Sequence, residues 1–243
     1  MPDPTITMPD GWAAEARSSG TLLAGLALRR SFGKNDALRG ASITVEAGEI
    51  VAVMGPSGSG KSTMLHCLAG ILRPDAGEVQ YEGRRIDDLS EARRSELRRE
   101  RFGFVFQFGQ LVPDLTALEN VSLPLRLAGA KRVEAARRSQ AWLERMDLAE
   151  VASSHPSDLS GGEAQRVAVA RAMVAEPRVI FADEPTGSLD SLNGEMVMEL
   201  LVAAARQGGA AVVLVTHEPR VAAHADREVV IRDGRTVTTP TAV

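Results

Sequence analysis

A glycine-rich loop between an apolar segment and a helix is the part of the sequence best suited to hold a charged ligand. The loop follows the apolar residues 50–53 and reads Gly55-Pro56-Ser57-Gly58-Ser59-Gly60-Lys61-Ser62-Thr63. Its glycines allow tight curvature, so that successive N–H groups and the positive end of the next helix point at one centre. The spacing predicts a phosphate loop, in which Lys61 reaches the β- and γ-phosphates of a nucleotide and the Ser62 hydroxyl binds Mg²⁺.

Two carboxylates come directly after a second apolar segment. Asp183 and Glu184 follow residues 179–182 and precede a Pro-Thr-Gly turn. Beside a phosphate loop, such an aspartate would hold Mg²⁺, and the neighbouring glutamate would face the γ-phosphate and polarise a water. A pair of exposed turn carboxylates is the alternative, and the buried strand predicted before them makes it the weaker one.

Polar or aromatic residues also stand at the ends of other apolar strands. Gln107 follows residues 102–106, and His217 follows residues 211–216. Ligands gather at the carboxyl ends of strands in open α/β sheets, so we expect both side chains on the same edge as Asp183. Taken alone, Gln107 is a weak signal, and a lone histidine is more often structural than catalytic. Phe32, before a polar loop, suits either the core or stacking on a nucleobase.

A further helix start has the features of a second anion site. Ser160 and Glu163 have the spacing of a capping box, which alone indicates only that a helix begins there. Between them, Gly161 and Gly162 expose backbone N–H groups at a helix N-terminus. We therefore treat this helix start as a candidate ligand contact far along the chain from the phosphate loop.

Alternating strand and helix patterns predict an α/β fold. Residues 22–28 and 41–46 are predicted as strands around a turn at 33–36, and residues 228–234 as a hairpin at the edge. Asp88 and Glu91 have the spacing of a capping pair for a helix over 89–99.

Residues 111–148 instead have a helical composition throughout. Thr116 with Glu119 forms a capping box, and Pro124 predicts a kink. One helical face is predicted to combine Val133, Ala136, Leu143 and Met146. We expect an all-helical insertion, at about residues 108–158, that forms a second lobe hinged at Gln107.

Composition and charge limit the expected partners and covalent links of the chain, although charge alone excludes no partner. The 28 basic and 32 acidic residues are interspersed and give a net charge of −4, so no sequence-wide nucleic-acid surface is expected. Cys67 is the only cysteine, which rules out an intrachain disulfide and fits a packing position. No apolar stretch approaches the roughly 20 residues that span a bilayer, so we expect any membrane crossing to belong to another chain. Residues 1–20 predict a mobile tail.

Together these motifs resemble the ATP-binding subunit of an ABC transporter. The family's motifs occur in its order: the phosphate loop, Gln107, the signature Leu159-Ser160-Gly161-Gly162-Glu163, Asp183-Glu184, the Ser188-Leu189-Asp190 loop and His217. The resemblance covers about residues 22–237 and implies one ABC ATP-binding domain in residues 21–243. It implies the α/β fold of a P-loop NTPase of the ABC ATPase type, with a RecA-like core, an antiparallel β subdomain and an inserted α-helical subdomain.

The resemblance also implies roles at the site. Two copies would pack head to tail and hold ATP between Lys61 of one and Ser160 and Gly162 of the other. The catalytic residues would be Glu184 as general base, His217 at the γ-phosphate, Gln107 and Lys61. The Mg²⁺ ligands would be Ser62, Gln107 and Asp183. The nucleotide contacts would be Phe32 (stacked on adenine), Gly55, Pro56, Ser57, Gly58, Ser59, Gly60, Lys61, Ser62, Thr63, Ser160, Gly161, Gly162, Glu163 and Asp190.

Within the family, segments 106–108, 111–121 and 183–190 look like those of the lipoprotein-release and macrolide-exporter group. This implies a permease with four membrane helices and a large extracytoplasmic domain, and a place at the cytoplasmic face of the inner membrane, with no nucleic-acid partner. The sequence departs from the usual pattern of the family at three positions: Phe32 stands where tyrosine is usual, Ala164 where arginine is common and Glu218 where aspartate often follows the histidine.

Three other classes of ABC protein are alternatives to a transporter subunit. An ABC ATPase of DNA maintenance would need coiled-coil arms or zinc cysteines, and a translation-type protein would need two motif sets; neither feature occurs in this sequence. A nucleotide-gated regulator of a permease-like partner in cell division, which transports nothing, stays open.

Overall fold

The structure is a computed structural model that describes residues 20–237. The predicted tail of residues 1–20 lies, except for Gly20, outside this range. In chain order the strands are β1 (Thr21–Phe32), β2 (Asn35–Glu46), β3 (Ile50–Met54), β4 (Ala76–Tyr81), β5 (Arg84–Arg85), β6 (Phe102–Phe106), β7 (Val179–Asp183), β8 (Ala211–Val215), β9 (Arg227–Arg232) and β10 (Arg235–Val237).

Helices connect several of these strands. They are α1 (Lys61–Leu68), α2 (Glu91–Arg101), α3 (Ala117–Leu127), α4 (Arg132–Arg145), α5 (Gly161–Met173), α6 (Ser191–Gly208) and α7 (Pro219–Ala222), with short 3₁₀ helices at Ala149–Val151 and Pro156–Asp158. None of the helices within residues 20–237 combines the length and the apolar character needed to cross a membrane.

The first sheet is a four-stranded antiparallel sheet in the order β2-β1-β4-β5. Its long hairpin β1-β2 closes more tightly than the predicted turn at 33–36. Asn35 pairs with Phe32 and Asp36 pairs with Ser31, so only residues 33–34 remain for the turn. The strand prediction that began at residue 41 was therefore too short, because cross-strand pairing extends β2 through a polar segment.

The second sheet supplies the edge at which the candidate site lies. Its order is β10-β9-β3-β8-β7-β6, and every neighbouring pair is parallel except β10 and β9, which are antiparallel. Phe106 pairs with Asp183 and Asp183 with Val215, so β6, β7 and β8 end at the same level. The predicted common edge and the predicted hairpin at 228–234 are both confirmed.

Both faces of this sheet are buried, which explains its unbroken apolar strands. In β8, Val212 and Leu214 belong to one core cluster, together with α5 and α6 residues. Val213 and Val215 belong to the other cluster, which includes residues of α1 and of the antiparallel sheet. Cys67 is buried in this second cluster, as predicted. The α/β fold of the predicted class is confirmed.

Helix α2 begins later than the sequence pattern predicted. Ser90 is its N-cap and accepts the Arg93 N–H through its side chain. The predicted pairing of Asp88 with Glu91 as caps is wrong, since the Leu89 N–H bonds to the Ile86 carbonyl and makes residues 86–89 a turn. The helix therefore covers Glu91–Arg101 instead of 89–99.

The segment 108–158 contains α3, α4 and the two 3₁₀ helices. The capping box of Thr116 and Glu119 is confirmed, and Pro124 lies inside α3 without ending it. The predicted face of α4 is partly wrong, because Val133 is 83% exposed while Ala135, Ser139 and Leu143 are buried. These residues repeat every four positions, and the Ser139 hydroxyl lies 2.9 Å from the Ser122 hydroxyl of α3. The division of the chain into lobes stays a prediction.

The burial difference along α4 leads to a stability prediction. Leu143→Ala removes a wholly buried side chain, and we expect it to lower the free energy of unfolding by about 2–5 kcal/mol. Val133→Ala on the same helix is the matched control and should change it by less than about 0.5 kcal/mol. Urea unfolding of both variants measures this, and equal effects would contradict the observed orientation of α4.

Candidate functional site

The phosphate loop curls back tightly between β3 and α1. Gly55, Gly58 and Gly60 all have positive φ angles, of 147°, 76° and 107°. A Cβ atom at Gly55 would collide with the Ile231 carbonyl oxygen, and one at Gly60 with the Ala37 carbonyl oxygen. Only glycine fits these two positions, where the loop is wedged between the antiparallel hairpin and β9.

Lys61 and Ser59 place an ammonium group and a hydroxyl group within this loop. The Lys61 ammonium donates hydrogen bonds to the Gly55 and Pro56 carbonyls, at 2.9 and 3.0 Å, so the side chain folds back along the loop. The buried Ser59 hydroxyl has no hydrogen-bond partner among residues 20–237. A buried hydroxyl without a partner is costly, and it fits a loop that completes its hydrogen bonds with a bound phosphate. Thr63 follows in the first turn of α1.

Ser62 is joined to the end of β7. Its hydroxyl lies 3.1 Å from Asp183 Oδ1, a contact across 121 positions of sequence. Burial raises the pKa of Asp183 above its usual value, and the Ser62 hydrogen bond opposes that rise. A nearby cation would favour the ionised carboxylate.

The oxygen atoms at this point suit a hard divalent cation. Hydroxyl and carboxylate oxygens are the ligands that Mg²⁺ accepts, and Mg²⁺ commonly takes only one or two carboxylates and completes its shell with phosphate and water. Within residues 20–237 no group of three or more His, Cys, Asp and Glu side chains is placed to hold a metal ion. The pair Ser62 and Asp183 therefore fits a cation that arrives with a nucleotide better than one held by protein alone.

Glu184 has an uncommon backbone conformation, and only one of its two carboxylate oxygens has a hydrogen-bond partner among the described residues. Its φ is 47°, an uncommon value for a residue with a side chain. Its N–H bonds to the Val215 carbonyl, which fixes the backbone to β8. Oε1 lies 2.9 Å from His217 Nδ1, while Oε2 is buried and has no hydrogen-bond partner among the described residues. Such a free buried oxygen is suited to accept a proton from a bound water.

Gln107 approaches the turn that follows Glu184. A Cβ atom added at Gly187 would lie 3.1 Å from the Gln107 side-chain nitrogen. The Gly187 N–H bonds to the Glu184 carbonyl and closes this turn. The structure thus brings Gln107, Glu184 and His217 to one edge, which Asp183 connects to the phosphate loop through Ser62.

The signature helix start is a complete capping box, as predicted. The Ser160 hydroxyl accepts the Glu163 N–H, and Glu163 Oε2 accepts the Ser160 N–H at 2.8 Å and the hydroxyl at 2.6 Å. These hydrogen bonds lower the pKa of Glu163. Ser160 and Gly161 are exposed, and within residues 20–237 no hydrogen bond or ion pair joins this helix start to the phosphate loop. Its N-terminus is open to a ligand or to another chain.

Phe32 and Asp190 are two other predicted nucleotide contacts, and their side chains already contact other groups of the chain. Phe32 is 48% exposed at the end of β1, and the Arg30 guanidinium lies 5.1 Å from the centre of its ring. Asp190 is the N-cap of α6, where its side chain accepts the Leu192 and Asn193 N–H groups at 3.1 and 3.0 Å. The hydrogen bond from Asn193 is the largest cause of the lowered pKa of Asp190. Its carboxylate is thus already engaged in capping.

Sequence reasoning missed two polar side chains of α5 that hold the backbone on either side of Gln107. The Gln165 amide donates to the Phe106 carbonyl at 3.0 Å. Arg171 donates to the Gly109 and Gln110 carbonyls, at 2.7 and 2.9 Å. The sequence gives no signal that separates these two side chains from the other polar residues of the helix, Glu163 and Arg166.

Comparison with known proteins agrees with this geometry. The family model described as an ABC transporter matches residues 38–187. The lipoprotein-releasing system ATP-binding protein LolD of Porphyromonas gingivalis is 44% identical over 207 residues, which cover 85% of this chain and 94% of the relative. The LolD protein of Paramagnetospirillum magneticum is 47% identical over 212 residues, covering 85% and 93%.

A solved structure with the same fold is a dimer that contains a nucleotide. The post-hydrolysis dimer of the ATP-binding cassette MJ0796, bound to ADP and Pi, superposes with a TM-score of 0.82 at 38% identity. The match covers 89% of this chain and 97% of that one. The family model, the two relatives and this structure agree with the resemblance read from the motifs, and the chain belongs to the ABC transporter family.

Proposed function

We propose that this chain powers a membrane permease of the lipoprotein-release or macrolide-exporter type from the cytoplasmic face of the inner membrane. The chain is an ATP-binding subunit of an ABC transporter and an ATPase, and its relatives at 44–47% identity are lipoprotein-releasing system proteins. The observation that carries the proposed mechanism is the free buried oxygen of Glu184, held beside His217 and next to Asp183.

The phosphate loop and its neighbours bind and orient the triphosphate. The loop N–H groups and the Lys61 ammonium hold the phosphates, and Phe32 offers its exposed ring to the adenine. Ser62, Asp183 and Gln107 would hold Mg²⁺, which supplies positive charge at the phosphate oxygens as the bond breaks. The Ser62–Asp183 hydrogen bond already sets the two oxygen ligands side by side.

Glu184 takes the proton of the attacking water. The His217 Nδ1–H donates to Oε1 and leaves Oε2 free for the water. As the water oxygen attacks the γ-phosphorus, its proton passes to Glu184 and ADP leaves with the electron pair of the broken P–O bond. The backbone bond from Glu184 to β8 fixes the base before ATP arrives, and the other ring nitrogen of His217 would contact the γ-phosphate.

Replacement of Glu184 tests its role as the base. Glu184→Gln keeps the side-chain shape but removes the base, so hydrolysis should fall about 10²- to 10⁴-fold while ATP affinity is retained. Glu150→Gln, at an exposed position, is the matched control and should keep full turnover. Phosphate release and nucleotide binding by fluorescence measure the two quantities. Normal turnover in Glu184→Gln would show that Glu184 is not the base.

The exposed signature helix supports a site shared between two copies. Ser160 and Gly161 form an open helix N-terminus that suits the phosphates of a nucleotide bound to another protomer. In a two-fold dimer each copy would supply Lys61 to one ATP and Ser160 to the other. The solved cassette that shares this fold is dimeric in a state with ADP and Pi.

This arrangement predicts a concentration dependence. Turnover per subunit should rise with protein concentration until dimers saturate, because Ser160 acts only in trans. Ser160→Arg should bind ATP through its own Lys61 but fail to hydrolyse it, while the exposed Ser157→Arg, three residues earlier, should behave as the parent chain. Sedimentation run alongside the assay measures the dimer fraction. Constant turnover at concentrations where only monomers are present would exclude action in trans.

A groove between α2, α3 and α5 supports docking of the permease on the helical segment. It has a volume of about 590 Å³ and combines apolar side chains with arginines. Among its lining residues, Leu127 at the end of α3 is 62% exposed, and Arg99 of α2 is also exposed. A groove lined by exposed apolar side chains and arginines suits a short amphipathic segment with an acidic residue.

The groove yields a binding prediction with an internal control. Leu127→Arg adds charge and bulk beside the existing arginines, so the chain should bind ATP normally but lose co-purification with its permease from detergent extract. Val133→Arg lies on the same helical segment at an 83% exposed site that does not line the groove, and it should leave the complex intact. Equal complex yields for both variants would place the docking surface elsewhere.

A further inference from the structure

The loop after Gln107 has an unusual backbone. Phe108, Gly109 and Gln110 have φ values of 62°, 67° and 45°, three consecutive residues in the left-handed region. Two of them carry side chains, which disfavour this region. The internal hydrogen bonds are few: the Gly109 N–H reaches the Phe106 carbonyl, and the Gln110 N–H reaches the Phe108 carbonyl. Surrounding contacts must therefore hold the loop in this shape.

Those contacts come from one helix, α5. A Cβ atom at Gly109 would lie 3.0 Å from the Ala164 carbonyl oxygen, so the loop backbone lies directly on the helix. The Arg171 guanidinium then donates to two successive loop carbonyls, those of Gly109 and Gln110, at 2.7 and 2.9 Å. A planar fork suits this paired recognition, because one terminal nitrogen of the guanidinium is directed at each carbonyl.

Within the part of the chain that the structure describes, no carboxylate forms an ion pair with Arg171, and burial lowers the pKa of its guanidinium below the usual range. Placing an arginine there without a counter-ion is costly, and the two carbonyls are the groups that offset this cost. The same side chain lines the groove assigned to the permease.

We propose that Arg171 is a positioning residue for Gln107. It fastens residues 109–110 to α5, so that Gln107 is held at the Asp183–Glu184 edge and its loop moves together with the helix that begins at Ser160. The inference rests on the proposed role of Gln107 in metal binding and hydrolysis. Arg171 itself would not contact the nucleotide.

The direct test is amide hydrogen exchange of the full-length chain without nucleotide. Arg171→Met keeps length and apolar bulk but removes both donors, so the amides of residues 107–110 should exchange at least about tenfold faster, as in a loop that opens locally. Arg138→Met is the matched control, because Arg138 donates to a backbone carbonyl at the end of α5, that of Val174, and does not contact the loop. Unchanged exchange at 107–110 in Arg171→Met would overturn the proposal.

A second test separates positioning from a loss of stability. Arg171→Met should slow hydrolysis about 10- to 100-fold and raise the Mg²⁺ concentration needed for half-maximal rate, as loss of a residue that orients a metal ligand does. Nucleotide affinity without Mg²⁺ should stay within about twofold, since the phosphate loop is untouched. Arg171→Lys, which keeps the charge but lacks the forked pair of donors, should fall between the parent and Arg171→Met.

The double variant shows whether Arg171 acts through Gln107. Gln107→Ala combined with Arg171→Met should hydrolyse ATP within about twofold of Gln107→Ala alone, because the loop then has no ligand left to position. Fully multiplicative losses would mean that Arg171 acts independently, and the proposal would fail. If the parent chain hydrolyses no ATP, or Gln107→Ala leaves the rate unchanged, the proposed function fails instead, while the exchange experiment still tests the contact between Arg171 and the loop.

Discussion

The register of three parallel strands is the constraint on which the site depends. Phe106, Asp183 and Val215 lie side by side at the ends of β6, β7 and β8. Parallel hydrogen bonding fixes this alignment, and burial of both faces prevents a slip of one residue, since a slip would exchange the two core clusters. The sheet therefore brings Gln107 and Glu184, which follow two of these strand ends, to one edge.

The antiparallel hairpin contributes the other half of the site through close packing. Gly55 and Gly60 lie against the Ile231 and Ala37 carbonyls, so the phosphate loop is pressed between two sheets. The Ser62–Asp183 hydrogen bond then joins the loop to the strand edge. The hairpin thus packs against the loop from one side, while the larger sheet supplies both the strand before the loop and the strand that ends in Asp183.

Much of the fold and of the candidate site was predictable from the sequence because the signals are local. Glycine spacing, capping boxes at Thr116 and Ser160, and apolar strands that end in Asp183 or Gln107 each depend on residues within a few positions of one another. The errors also have physical causes. Val133 fits a helical repeat but faces solvent, because α4 approaches α3 through the small residues Ala135 and Ser139. Packing between helices is decided by distant residues, which a pattern along one helix does not contain.

The contacts of Gln165 and Arg171 show why part of a site escapes sequence reasoning. Each side chain binds a backbone carbonyl, and a carbonyl has no residue identity by which a sequence could reveal it. Helix α5 therefore has an exposed N-terminus at Ser160 and, further along, hydrogen bonds to the loop after Gln107. Because a helix is stiff over this length, a force on either end is transmitted to the other without a new contact being formed. A nucleotide at the helix start and a partner in the groove would in this way act on the same rigid element, and each would bias the position that the other requires.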